Sequence, residues 1–298
     1  MRPFAWLLLL CLPGPQDVKK LEERLAKDPD DPVANLAMGK LLAFEKGEWE
    51  KGLSNLARGS DKPLAELAQK EIAGAEDVPA KISLADEWLK VSSKHPKNRQ
   101  AIQDHATSWY AQAWKAMEEG PEKNKLLAKA RKMSTPPMGP SVAKGNVNGW
   151  RDFSLKEAGS SLDGTYAHSG RFSASISSSV KSPRGNFPRI HTQEILIPVG
   201  AKVVVLSAWV RSEGTDPHRD GIQAGFFSME GGLGQGGPEF PADLPFWTKI
   251  EKTVQVIDGS SKVAVWVILD SQKGTLWVDD VDLRIDGKSI ISNGSMEK

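Results

Sequence analysis

Apolar residues recur at helical spacing from about residue 17 to residue 133, and a proline or glycine stands at each interruption. The pattern predicts seven helices, over 17–27, 33–46, 49–58, 63–73, 79–93, 100–118 and 122–132. Pro29, Pro32, Gly47, Gly59, Gly74, Pro96 and Gly120 mark the breaks between them. Beyond residue 140 the period shortens: brief alternating runs of Val, Ile, Phe, Trp and Thr lie between Gly, Pro, Asp and Ser turns, the pattern of an antiparallel sandwich. Strands are predicted at 171–177, 193–197, 202–211, 222–228, 249–256, 262–270 and 275–283. The expected fold class is a multidomain α + β chain, with N-terminal all-α helical hairpins and a C-terminal antiparallel β-sandwich.

The stretch Ser134-Thr135-Pro136-Pro137-Met138-Gly139-Pro140 excludes both helix and strand and reads as a linker. The predicted organisation is a leader-like segment at 1–15, a helical domain at 16–133, a proline-rich linker at 134–144 and a sandwich at 145–298. The leader reading rests on Met1-Arg2-Pro3 followed by the apolar run Phe4 to Leu12, a positive start and a short hydrophobic centre. That run is too short to span a bilayer. The expectation is export to the periplasm, the envelope or the exterior, with no transmembrane segment in the mature chain. Cys11, the single cysteine, lies in the leader, so neither a disulfide nor thiol chemistry is expected of the mature part.

Lys and Arg together number 39 and Asp and Glu 38, so no global field draws the chain to nucleic acid, and no such partner is expected. Ten tryptophans stand against two tyrosines, and indole rings stack on sugars as well as filling cores. Side chains alternate along a strand. Val204, Leu206, Ala208 and Val210 therefore form one face of the strand at 202–211, and Ser207, Trp209 and Arg211 the other. Val263, Val265, Val267 and Leu269 likewise leave Ala264, Trp266 and Ile268 on the opposite side of theirs. Gln223 shares a parity with Phe227 in a third strand. Trp209, Arg211, Gln223 and Trp266 are accordingly expected to line one concave sugar-binding surface, with the glycine-rich loop 231–237 at its rim. The competing reading packs the tryptophans against protein, and the two readings predict opposite phenotypes for their removal.

No catalytic constellation emerges, and the chain is not expected to be an enzyme. Asp279 and Asp280 are adjacent in a predicted strand and should point to opposite faces, unlike the paired carboxylates of a glycosidase. His95, His105, His168, His191 and His218 show neither zinc spacing nor a Ser-His-Asp set, and read as surface or capping residues.

Two resemblances add to this reading. Gly39, Gly47, Trp49, Gly52 and Leu56, and then Ala85, Trp88, Ala106, Tyr110 and Ala113, resemble positions of a tetratricopeptide hairpin. The runs FEKGEWEKGLSNLARGSD and SLADEWLKVSSKHP resemble a helical region that precedes sugar-binding-like domains in bacterial envelope proteins. In the second half the landmarks are Ala167-His168-Ser169-Gly170-Arg171-Phe172-Ser173, then Leu206-Ser207-Ala208-Trp209-Val210-Arg211, Phe246-Trp247, and Gly274-Thr275-Leu276-Trp277-Val278-Asp279-Asp280-Val281. Their order resembles the galactose-binding-like jelly roll of carbohydrate-binding modules attached to bacterial xylanases and endoglucanases, over about 145–285.

That resemblance implies a non-catalytic module for a polysaccharide or glycan, with Trp247 and Trp277 in the core. It also implies a structural calcium held by Asp279 and by carbonyls from Ser169 to Arg171. The family adds a glutamate from an opening Asn-Gly-x-Phe-Glu, whereas Asn146-Val147-Asn148-Gly149-Trp150 has no acid here. Asn293-Gly294-Ser295-Met296-Glu297 has the missing shape. Glu297 completes the calcium set if this tail fills the first-strand position; a free tail or the start of another module are the other readings. Two further functions stay open: an adaptor whose helical hairpins bind a protein partner, with the jelly roll as spacer, and an accessory subunit of a glycoside hydrolase.

Overall fold

The computed structural model describes residues 15–131, 150–152, 159–178, 188–216, 223–230, 239–271, 273–291, 294 and 296. The chain divides into two compact units, Met1–Glu118 and Glu119–Lys298. The leader-like segment and the proline-rich linker lie outside the described residues.

Seven α-helices occupy the described N-terminal part: α1 Pro15–Lys27, α2 Pro32–Lys40, α3 Trp49–Leu56, α4 Lys62–Ala73, α5 Val78–Ser92, α6 Arg99–Ala116 and α7 Pro121–Arg131. A π-helical turn, Leu41–Glu45, prolongs α2. An aspartate followed by a proline one or two residues on sets three of the starts. Asp31, Asp61 and Asp77 accept first-turn backbone N–H groups, and the prolines occupy positions whose N–H has no helical partner. The small residues act as read from the sequence. A Cβ on Gly39 would lie 2.8 Å from Leu56, and one on Gly52 2.6 Å from the backbone of Ala43, so α3 packs at glycine distance on α2 and its π-helical turn.

The core of this unit holds a polar group that the sequence reading placed at the surface. His105 on α6 meets both oxygens of buried Glu71 on α4 at 2.9 Å, and stacks on Trp49 with ring centroids 3.5 Å apart. Trp88 donates its indole N–H to the same carboxylate at 2.5 Å. A carboxylate in an apolar core is tolerable only when donors satisfy it, and these two rings do so.

The C-terminal part is a jelly-roll-type β-sandwich of antiparallel strands. One sheet has the order β2 (Gly159–Asp163), β3 (Ser173–Ser178), β11 (Gly274–Ile285), β6 (Val203–Glu213), β9 (Thr248–Gln255), with β12 (Lys288–Ser289) on β11. The other runs β1 (Trp150–Asp152), β4 (Arg189–Thr192), β10 (Lys262–Leu269), β7 (Gln223–Glu230), β8 (Glu239–Pro241), with β5 (Ile195–Leu196) on β10. Of the strand expected at 193–197 only β5 forms, and β4 ends just before it. The two valine-rich faces meet in one core: Val204, Leu206, Ala208 and Val210 from β6, and Val263, Val265, Val267 and Leu269 from β10. Met296 is fully buried in the same core, and the carbonyl of Gly294 accepts the N–H of Val281 at 2.9 Å. The described residues of the tail are therefore a packed part of the sandwich.

Candidate functional site

Along β11 the positions that join the inter-sheet core run Leu276, Val278, Val281, Leu283, Ile285. The alternation slips by one residue at a β-bulge between Asp279 and Asp282, where Asp280 takes a left-handed backbone at φ 46°. The bulge removes the opposite-face arrangement expected for Asp279 and Asp280. Both carboxylates reach the same turn instead. Asp279 is fully buried and accepts the backbone N–H of His168 at 2.8 Å, of Ser169 at 3.1 Å and of Asp280 at 2.8 Å. Asp280 accepts the Ser169 hydroxyl at 2.7 Å and pairs with His168 Nδ1 at 2.6 Å. Burial, and then the charge of Asp280, push the Asp279 carboxyl up to about 8, against the pull of the N–H groups of Ser169 and Asp280 and of His168.

The turn so held lies over the outer face of the β2-β3-β11-β6-β9 sheet. His168 stacks on Trp209 at 3.9 Å and meets Trp247 edge-on at 5.9 Å. Tyr166 packs edge-on against Trp277 at 5.0 Å, and the Arg211 guanidinium sits 4.0 Å from the Tyr166 ring centre. Arg211 is only 1% exposed and is ion-paired to Glu213. Trp277 donates its N–H to Asp163 at 2.7 Å and stands across from Arg211 in the ladder. Trp277 and Trp247 are buried, as expected, but neither belongs to the inter-sheet core cluster: Trp277 lies outside its sheet, under the turn.

The opposite sheet offers a different surface. β10 is its middle strand, and Trp266 points away from the valine-rich core, half-buried. One rung of the ladder reads Arg151, His191, Trp266, Ser228 across four strands, and the next aligns Arg189, Ile268, Phe226 and Glu239. His191 stacks on Trp266 with centroids 4.1 Å apart, and the Arg189 guanidinium lies 4.7 Å from the indole centre. Both come from β4, on one side of β10, while β7 with Ser228 lies on the other. His191 Nδ1 donates to the Thr192 carbonyl at 2.8 Å. An upright indole beside a guanidinium and an imidazole offers a sugar an apolar face and adjacent polar groups.

The four residues expected to share one concave surface do not. Trp209 and Arg211 are on the outer face of one sheet and Trp266 on the outer face of the other, with the core between them. Arg211 is sealed beneath Tyr166 and Trp277 and cannot touch a ligand. Gln223 opens β7 across from Pro241, and its side chain lies outside the described residues, as does the loop 231–237. The register sets Phe227 opposite the core residue Val267 and Ser228 opposite Trp266, and it shifts between Gln223 and Gly225. His191 and Arg189 were missed from the sequence because their strand is only four residues long and alternates too briefly to register.

Of the calcium set expected from Asp279, the carbonyls of Ser169 to Arg171 and Glu297, the carboxylate of Asp279 does not fit a cation. Calcium takes roughly six to eight oxygen ligands with lone pairs turned inward. All four carboxylate oxygens of Asp279 and Asp280 face N–H or O–H donors instead. Ser169 gives its N–H to Asp279 and its hydroxyl hydrogen to Asp280. Glu297 lies outside the described residues. Among the described residues no group of three or more His, Cys, Asp and Glu side chains is placed to hold a metal ion.

No protein-family model and no curated protein matches the sequence. Among solved structures the chain is similar to a family 61 carbohydrate-binding module in complex with β-1,4-galactotriose, at 18% identity and TM-score 0.33, over 47% of this chain and 91% of that one. It is similar to a family 22 xylan-binding domain from Paenibacillus barcinonensis at 15% identity and TM-score 0.33, over 51% and 97%. A family 29 carbohydrate-binding module from Piromyces equi aligns at 11% identity and TM-score 0.30, over 48% and 84%.

Proposed function

We propose that the protein is a non-catalytic glycan-binding protein and that the outer face of the β1-β4-β10-β7-β8 sheet is its binding surface. The observation that carries this reading is Trp266: a partly exposed indole on the central strand, flanked by His191 and Arg189 and pointing away from the core. A pyranose stacks its C–H face on such a ring, and neighbouring polar side chains fix its hydroxyls. Both indoles carry an imidazole stack, His168 on Trp209 at 3.9 Å and His191 on Trp266 at 4.1 Å. They differ in that His168 belongs to the turn fastened over the first sheet, whereas His191 is a residue of the strand next to Trp266 in the same sheet. The positive start and short apolar run of residues 1–12 support export to the cell envelope or exterior, where a polysaccharide ligand would be met. Among the described residues no helix is long and apolar enough to cross a membrane.

The test is retention of the full chain on insoluble xylan, β-glucan and galactan, followed by a glycan array. Wild type should be retained on at least one, and Trp266→Ala should lose at least tenfold in affinity while melting close to wild type. Absence of retention and of any array signal for wild type refutes the proposal. So does a Trp266→Ala variant that binds normally.

A further inference from the structure

We infer that the turn carrying Ala167, His168 and Ser169 is fastened to β11 by a metal-free clamp, in which backbone N–H groups, a hydroxyl and the His168 ring occupy the two carboxylates of the bulge. The bulge is what makes this possible. In a regular strand Asp279 and Asp280 would face opposite ways, and the left-handed backbone of Asp280 turns its carboxylate to the side of Asp279.

Each oxygen then has a donor. Asp279 Oδ2 takes the N–H groups of His168 and Ser169, and its Oδ1 that of Asp280. Asp280 Oδ1 takes the Ser169 hydroxyl, and its Oδ2 the Nδ1–H of His168. Five hydrogen bonds to the two carboxyl groups converge on this turn. A hard cation seated here would face the hydrogens of those donors rather than oxygen lone pairs. The imidazole also lies flat on Trp209, so one residue joins the carboxylates to the sheet face beneath them. This places His168 as a positioning residue for the turn, a role that does not depend on where the protein binds its ligand.

Calorimetry of the full chain in millimolar calcium and in excess chelator tests the clamp, because an ion that binds only the folded state raises the melting temperature by mass action. The expected wild-type difference between the two conditions is within about 1 °C. His168→Phe keeps a flat ring on Trp209 and removes the Nδ1 donor; it should lower the melting temperature of the sandwich by several degrees, equally in calcium and in chelator. Hydrogen exchange on wild type gives a second reading that needs no variant: the amides of His168 and Ser169 should stay protected in chelator. A fall in the wild-type melting temperature with chelator, loss of that protection, or a His168→Phe variant that melts like wild type each overturns the inference.

Discussion

Cutting Trp209 to alanine separates the two roles an indole can play on these sheets. Large-to-small changes at a fully buried tryptophan cost about 3–5 kcal/mol. Trp209 is partly exposed, which puts its cost at the lower end of that range, about 3 kcal/mol with its stack on His168 at 3.9 Å included. A loss of about 3 kcal/mol in a domain of this size lowers the melting temperature by about 6–12 °C. Differential scanning calorimetry reads the shift directly, and near-ultraviolet circular dichroism reports whether the ring cluster of Tyr166, His168, Trp247 and Trp277 stays ordered. Trp266→Ala is the companion: its stack with His191 and the Arg189 guanidinium come from its own sheet, so its removal unseats no turn and should lower the melting temperature less than Trp209→Ala does. If Trp209→Ala melts with wild type while Trp266→Ala falls steeply, then the turn is not what closes the first sheet, and the assignment of the binding face to the second sheet loses its basis.

Three other outcomes follow from the packing. Gly52→Ala gains about 1 kcal/mol of helix propensity, yet its Cβ would sit 2.6 Å from the backbone of Ala43; thermal melting of the helical unit should therefore show net destabilisation. Gly294→Ala would put a Cβ 1.9 Å from the Val281 carbonyl oxygen and unseat Met296 from the core, so it should destabilise the sandwich at least as much as Met296→Ala, for which about 2–5 kcal/mol is expected in denaturant titration. The Asp279 carboxyl titrates near 8 when folded against 3.8 unfolded, so the folded state holds its proton more tightly. Stability from this group is therefore greatest below about pH 4 and is lost as the pH rises towards 8; Asp279→Asn should flatten that part of the profile, and an unchanged slope would exclude the group as its source.

The sequence by itself determined the helices, since a 3.6-residue period and Asp-Pro starts are local signals, and all seven expected segments are helical. It also determined which face of β6 and β10 turns inward, because alternation reports the side of a strand that seeks the core. Alternation says nothing of which sheet a strand joins. Trp209 and Trp266 obey the same rule and still end on opposite faces of the sandwich, since strand order is set by pairings between residues as far apart as Trp277 and Arg211. One inserted residue at the β11 bulge shifts the parity of everything after it, so Asp279 and Asp280 converge where a regular strand would part them. Burial of charge was equally hidden. Arg211 lies under Tyr166, 45 positions before it in the chain, and Glu71 meets His105, 34 positions after it. No periodicity spans such distances, and only the folded chain supplies the partners that let these groups leave water.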